Sequence, residues 1–181
     1  MPSPSLLSST DHLFLVGFPG CGKSTVGALL AELLKRPFLD LDAHIEKAAG
    51  KRISEIFAAH GEEGFRRMET EALENLSVLK PAHIIAVGGG TPCRQGNLKI
   101  MQSLGSLLYI EVPAEALVSR LRTGIAARPM LHHHAHELEV YVNRTLSERI
   151  PFYTQAKWTV SGASPPEVVA RRIAEILSAH E

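Results

Sequence analysis

Residues Gly17 to Ser24 read GFPGCGKS and stand between the apolar run Leu13, Phe14, Leu15, Val16 and a segment with Val26, Leu29, Leu30 and Leu33 at helical spacing. A strand that empties into a glycine-rich loop and then opens a helix is the setting in which backbone N–H groups wrap a phosphate. Gly17, Gly20 and Gly22 lack the β-carbons that would hold an anion off, Lys23 brings a positive charge to the outer phosphates, and Ser24 offers a hydroxyl to Mg2+. The helix that follows aims its positive end at the loop. Such a pattern binds a nucleoside triphosphate.

A second cluster follows in Phe38-Leu39-Asp40-Leu41-Asp42. Read as a strand, its period of two sends both carboxylates to one side, at the carboxyl end where open α/β sheets hold their ligands. Asp40 then suits the water shell of a Mg2+ ion, which takes few protein ligands. Asp42 suits the orientation and deprotonation of an acceptor hydroxyl; the alternative for Asp42 is a cap on a helix over Ala43 to Ala49. In Gly61-Glu62-Glu63-Gly64-Phe65-Arg66-Arg67-Met68-Glu69, the residues Phe65, Met68, Ala72 and Leu76 form an apolar stripe on a helix. Arg66 and Arg67 lie off that stripe, Arg67 as a surface charge. The triplet Gly88-Gly89-Gly90 ends a further apolar run; it serves either a close approach of backbone to a ligand or a flexible turn.

The elements that position these residues alternate between short apolar runs and helical patterns, the signature of an α/β fold with a parallel sheet. Five strands are expected: Leu13 to Val16, Phe38 to Leu41, Ile84 to Val87, Leu107 to Val112, and Trp158 to Val160. The last helix is expected to start with Ser164 as cap, Pro165 in the first helical position and Glu167 completing a capping box. Residues 1–10 are polar and rich in Pro and Ser and read as a flexible tail; residues 11–181 read as one domain.

Composition narrows the function classes. The 181 residues carry 19 acidic and 19 basic side chains, a formal charge of zero that recommends neither nucleic acid nor an anionic membrane as partner. Two cysteines, Cys21 and Cys93, make no disulfide framework, the start MPSPSLLSSTDH lacks the features of a signal peptide, and no apolar run approaches membrane-spanning length. A cytoplasmic protein is expected. No Asn-Lys-x-Asp segment is present to read guanine: Asn97-Leu98-Lys99-Ile100 and Asn143-Arg144 do not fit.

Taken together, GxPGxGKST, FLDLD, GEEGFRRMETEAL, GGG and Arg128-Pro129-Met130-Leu131, in this order from about Leu13 to the last helix, resemble the shikimate kinases. The resemblance implies a three-layer P-loop NTPase fold similar to nucleoside monophosphate kinases, with a five-stranded parallel sheet flanked by helices and a mobile lid over about residues 124–137. It implies a monomer that transfers the γ-phosphoryl of ATP to the 3-hydroxyl of shikimate, with Mg2+, in the route to chorismate and aromatic amino acids. Gly20, Cys21, Gly22, Lys23, Ser24 and Thr25 would hold ATP, with Lys23 on the phosphates and Ser24 and Asp40 serving the metal. Asp42 would bind the acceptor hydroxyl and act as base, Gly88, Gly89 and Gly90 would offer backbone, and Arg66 and Arg149 would clamp the carboxylate, a task suited to planar guanidinium groups. Arg128 matches the lid arginine, which would cover the transferring phosphate, and Arg122 is expected near the adenine.

The sequence departs from the family pattern in the run Thr123-Gly124-Ile125-Ala126-Ala127, which is short and uncharged, and in His132-His133-His134-Ala135-His136, expected as exposed lid surface rather than a metal site. Ser161-Gly162-Ala163-Ser164-Pro165 lacks the basic residue that some members carry before the last helix. A gluconate-type or nucleoside monophosphate kinase would share the loop and lid without the GExxFRxxE and GGG pair. A catalytically silent binding module would have no need to keep Lys23, Asp42, Arg66, Arg128 and Arg149 together.

Overall fold

The computed structural model describes residues 10–124 and 137–178. The central strand β1 (His12–Val16) is buried along its whole length, as a strand covered on both faces must be, and its apolar residues answer that requirement. It pairs in parallel with β3 (Ile84–Ala86) on one side and β4 (Gly105–Glu111) on the other. Beyond β3 lies β2 (Phe38–Asp40), and beyond β4 lies β5 (Trp158–Ser161), giving the order β2-β3-β1-β4-β5 with every pair parallel. All five strands expected from the apolar runs are present, displaced by at most two residues at any end.

Parallel neighbours need crossovers, and the helices supply them: α1 (Lys23–Leu34), α2 (Leu41–Ala49), α3 (Ile53–Asn75), α4 (Asn97–Leu104), α5 (Ala114–Gly124), α6 (Leu138–Tyr153) and α7 (Pro166–Ser178). Right-handed connections put α1 on one face, where α7 packs against it, while α3 meets α4 and α5 meets α6 across the other. The core therefore has two halves separated by the sheet. Phe14, Leu15, Ile85, Leu108 and Ile110 on the strands, and Leu30, Leu73, Leu121 and Ile173 on the helices, have essentially no solvent exposure.

Three boundaries differ from expectation. The second strand stops at Asp40 and Leu41 already begins α2, so strand alternation does not govern Asp42. The cap of that helix is Asp40, not Asp42: one oxygen of Asp40 accepts from the backbone N–H groups of Asp42 at 3.1 Å and Ala43 at 3.2 Å. The last helix begins at Pro166 rather than Pro165, with the Pro165 carbonyl accepting from Val169 at 3.1 Å. A residue that precedes proline is held away from helical geometry, so Pro165 stays outside and Ser164 is one position too early to cap. Within α3, Gly61 has φ 67° and ψ −176° and breaks the helix axis, a conformation that an L side chain would strain.

Residues 125–136, which contain Arg128, the histidine cluster and almost all of the expected lid, lie outside the described residues, as do the first nine residues of the expected tail. No described helix is long and apolar enough to cross a membrane.

Candidate active site

The order of strands reverses at β1, whose neighbours β3 and β4 lead off in opposite directions, and a crevice opens at its carboxyl end. Gly17 to Gly22 leave β1 at that point. Gly20 and Gly22 have φ of 85° and 100°, and Gly22 is the N-cap of α1 with no side chain to bond the helix end. The N–H groups of Lys23, Ser24 and Thr25 consequently lack partners within the helix and face the crevice together with its positive dipole end. Lys23 is buried, and its ammonium donates to the carbonyls of Gly17 at 2.8 Å and Phe18 at 3.1 Å. Cys21 folds inward instead: its side chain is buried beneath the loop, and its backbone N–H donates to Phe18 at 3.1 Å.

The capping bond fixes Asp40 by one oxygen and leaves the other to accept the Ser24 hydroxyl at 2.5 Å. Two hard oxygen donors from different elements thus meet beside the loop, a set that suits Mg2+. One turn into the site, Asp42 has a buried carboxylate oxygen, Oδ1, with no hydrogen-bond partner. Burial pushes this carboxyl up to about 6, with the negative charges of Glu69 and Asp40 adding to the rise and Lys23 and Arg66 opposing it. At neutral pH it remains ionised and is a competent proton acceptor.

The second half of α3 turns Gly64, Phe65, Glu69, Ala72 and Leu73 inward, and Arg66 projects from its edge. Glu69 has no solvent exposure. Its Oε2 accepts from Arg66 Nη1 at 2.6 Å, its Oε1 accepts a short hydrogen bond from the Thr91 hydroxyl, and Glu62 takes a second bond from Arg66 at 3.2 Å. The Gly88–Gly90 turn passes so close to these groups that a β-carbon on Gly88 would lie 2.8 Å from Glu69 Oε1 and 3.4 Å from Asp42 Oδ1. One on Gly89 would lie 2.5 Å from Pro19 of the phosphate loop, and one on Gly90 would lie 2.8 Å from Arg66 Nη2. Close approach, not flexibility, explains the triplet. The turn is held from the far side by Tyr153 of α6, whose hydroxyl donates to the Gly89 carbonyl at 2.6 Å and whose ring stacks on Tyr109. One turn earlier on α6, the guanidinium of Arg149 stands 5.5 Å above the ring of Phe18.

A single cavity of about 870 Å³ is shared by Gly20, Gly22, Lys23, Ser24, Thr25, Asp40, Asp42, Arg66, Gly88, Gly89, Gly90 and Arg149. Of the described residues singled out from the sequence for the site, Gly17, Cys21 and Arg122 are missing from its wall, and Gly17 instead packs so closely on β4 that a β-carbon there would lie 2.8 Å from the Ile110 carbonyl. Cys21 is under the loop, and Arg122 is exposed near the end of α5. Arg120, two residues earlier, instead donates to the Gly162 carbonyl at 2.8 Å and ties α5 to the segment after β5. Sequence reasoning missed Glu69 and Tyr153. Glu69 is three residues after Arg66, a spacing at which helical side chains meet, and that was the available signal.

A family model described as shikimate kinase matches residues 19–178. The chain belongs to the shikimate kinase family. The shikimate kinase of Parabacteroides distasonis is 40% identical over 149 residues, covering 82% of this chain and 86% of that protein. That of Rhodopirellula baltica is 43% identical over 146 residues, covering 79% and 76%. Among solved structures, a shikimate kinase from Acinetobacter baumannii in complex with shikimate superposes with a TM-score of 0.87 at 33% identity, covering 98% of this chain and 96% of that one. A gluconokinase from Sinorhizobium meliloti shares the fold alone, with a TM-score of 0.58 at 16% identity. Membership of the shikimate kinase family makes this chain an ATP-dependent kinase and agrees with its P-loop, its five-stranded sheet and the order of its motifs.

Proposed function

We propose that this chain transfers the γ-phosphoryl group of ATP to the 3-hydroxyl of shikimate. The observation that carries the reading is the composition of one cavity, whose wall holds a phosphate loop, a carboxylate with a buried, unpartnered oxygen, and two guanidinium groups together with a glycine turn. A nucleotide needs the first, a hydroxyl nucleophile the second, and an acceptor carboxylate the third. The family membership and the shikimate bound to the Acinetobacter relative support the same assignment.

In this reading the N–H groups at the start of α1 and the Lys23 ammonium bind the phosphates of ATP, Lys23 exchanging its loop carbonyls for phosphate oxygens. Ser24 and Asp40 hold Mg2+, which neutralises phosphate charge when bound. Arg66 and Arg149 fix the shikimate carboxylate, and the Gly88–Gly90 turn admits the ring at close range. Asp42 orients the 3-hydroxyl and takes its proton as the oxygen attacks; burial keeps water from competing for that oxygen. Arg128 retains the role that its Arg-Pro-Met-Leu context implies, stabilising charge on the phosphoryl group in transit.

A coupled ADP-release assay with Mg2+ and ATP tests the proposal. Rapid turnover with shikimate and little with gluconate or nucleoside monophosphates is expected. Comparable rates on either competitor, or no shikimate-dependent ADP release, would refute it.

A further inference from the structure

Among the described residues buried polar side chains are few, and three with no solvent exposure, Glu69, Thr91 and Asn97, lie next to one another. They are joined in a closed ring. The Thr91 hydroxyl donates to Glu69; the Thr91 carbonyl accepts from Asn97 Nδ2 at 3.0 Å; Asn97 Oδ1 accepts from the Thr70 hydroxyl at 2.9 Å; and Thr70 follows Glu69 on α3. The Thr91 N–H donates to the Gly88 carbonyl at 3.1 Å and closes the glycine turn on itself. Thr91 therefore uses its hydroxyl, carbonyl and amide at once, to bind α3, the start of α4 and the turn.

The two partners of Glu69 divide its carboxylate between them. Arg66 takes one oxygen and Thr91 the other, so the position of the guanidinium and the position of the turn are referred to the same buried group. Thr70 can also give its hydroxyl proton to the Arg66 carbonyl, 3.1 Å away, but Glu69, Thr91 and the Asn97 amide each have a fixed partner in the ring, and shifting α3 along the turn would strand at least one of them.

We propose that Thr91 is a positioning residue for the acceptor site: through the ring that it closes with Glu69, Thr70 and Asn97, it sets the distance between the Arg66 guanidinium and the Gly88–Gly90 turn. The proposal rests on the functional reading above for the identity of the acceptor. Its structural half stands apart from that reading.

Thr91→Val removes the hydroxyl and keeps the shape, and Thr91→Ser keeps the hydroxyl. Thr70→Val cuts the ring at its half-buried end and serves where Thr91→Val folds poorly. Kinetics with both substrates and backbone amide exchange of the segment 87–93 are read on each. An acceptor left unpaired in the interior is expected to raise the KM for shikimate about tenfold in Thr91→Val, with the KM for ATP within about twofold of wild type. Amide exchange in 87–93 should rise by a similar factor while β1 and β4 are unchanged, Thr91→Ser should restore both, and Thr70→Val should move both in the same direction. An unchanged shikimate KM, an equal rise for both substrates, unchanged exchange in 87–93, or failure of folded Thr91→Ser to restore wild-type values would overturn the proposal. A wild-type protein inert toward shikimate would instead overturn the functional reading, and the exchange data alone would then decide whether Thr91 holds the turn.

Discussion

The two arginines proposed to hold one carboxylate carry different structural loads, and removing each should separate binding from stability. Arg66 is paired at 2.6 Å with Glu69, which has no exposure, and its own side chain is 12% exposed. Arg66→Ala leaves Glu69 charged in the interior with Thr91 as its remaining donor. Breaking a buried pair in this way costs about 3 to 5 kcal/mol. Arg149 stands over the Phe18 ring, a contact worth about 0.5 to 1 kcal/mol. Each arginine should nevertheless contribute similarly to shikimate affinity, about 1.5 to 3 kcal/mol or on the order of 10- to 100-fold. Urea unfolding and calorimetric titration with shikimate read the two quantities. The expected pattern is a strongly destabilised Arg66→Ala and a nearly native Arg149→Ala, both poor in shikimate binding and both normal toward ADP once folded. Adding Glu69→Gln to Arg66→Ala neutralises the stranded charge and should recover about 1 kcal/mol or more of stability without recovering affinity. Equal stabilities for the two single variants would refute the account of Glu69 as a buried ion-pair partner. Native shikimate affinity in Arg149→Ala would remove it from the acceptor site.

Two further outcomes are expected. Asp42→Asn, which keeps the shape but cannot accept the proton, should lower kcat by about 100-fold while nucleotide affinity stays within about twofold; unchanged turnover in a steady-state assay would restrict Asp42 to a structural role. His12 accepts the His83 N–H at Nδ1, 2.9 Å away, and reaches the Leu76 carbonyl with Nε2 at 3.2 Å, an arrangement that only a neutral ring protonated at Nε2 satisfies. Burial lowers its pKa below 6.5, so the unfolded chain takes up a proton that the folded chain resists, and the stability that His12 provides is complete above about pH 6.5 and declines as pH falls through that value toward its folded pKa. Asp42 acts with the opposite sign below about pH 6, so the measurement is a difference: thermal unfolding of wild type and His12→Gln from pH 7.5 to 5.5, with a flatter decline in the variant expected and identical slopes counting against the assignment.

The parts of the site that announced themselves in the sequence are those in which backbone does the binding or a glycine is required. The phosphate loop and the Gly88–Gly90 turn were legible because each stands at the end of an apolar strand. The division of labour between Asp40 and Asp42 was less so. Both are short acids two residues apart, and which one caps the helix depends on whether the strand ends before or after Leu41, a choice made by sheet pairing at Ala86. Glu69, Thr70, Thr91 and Asn97 were invisible as a group, since polar residues on separate elements read as surface until packing brings them together. Their burial is a tertiary fact. At the last helix the doubled proline moved the start by one residue, because the restriction that Pro166 places on Pro165 outweighs the match of Ser164 and Glu167 to a capping box.

The sheet order also distributes resistance to opening unevenly over the site. The phosphate loop springs from β1, flanked by strands on both sides and without exposure along its apolar length, so it can be lost only when the whole core is lost. Asp40 and Asp42 hang from β2, a three-residue edge strand that is only half-buried and bonded to a single neighbour. Rare partial openings of the native state will therefore begin on the acceptor side. Such a species still grips nucleotide but has no place for the hydroxyl, and a ligand seated against Asp42 and Arg66 depletes it by mass action. Acceptor concentration thereby sets how often the edge of the sheet is exposed to proteases and chaperones, whereas nucleotide without the Mg2+ that Asp40 would hold, bound only to the part that opens last, does little to protect it.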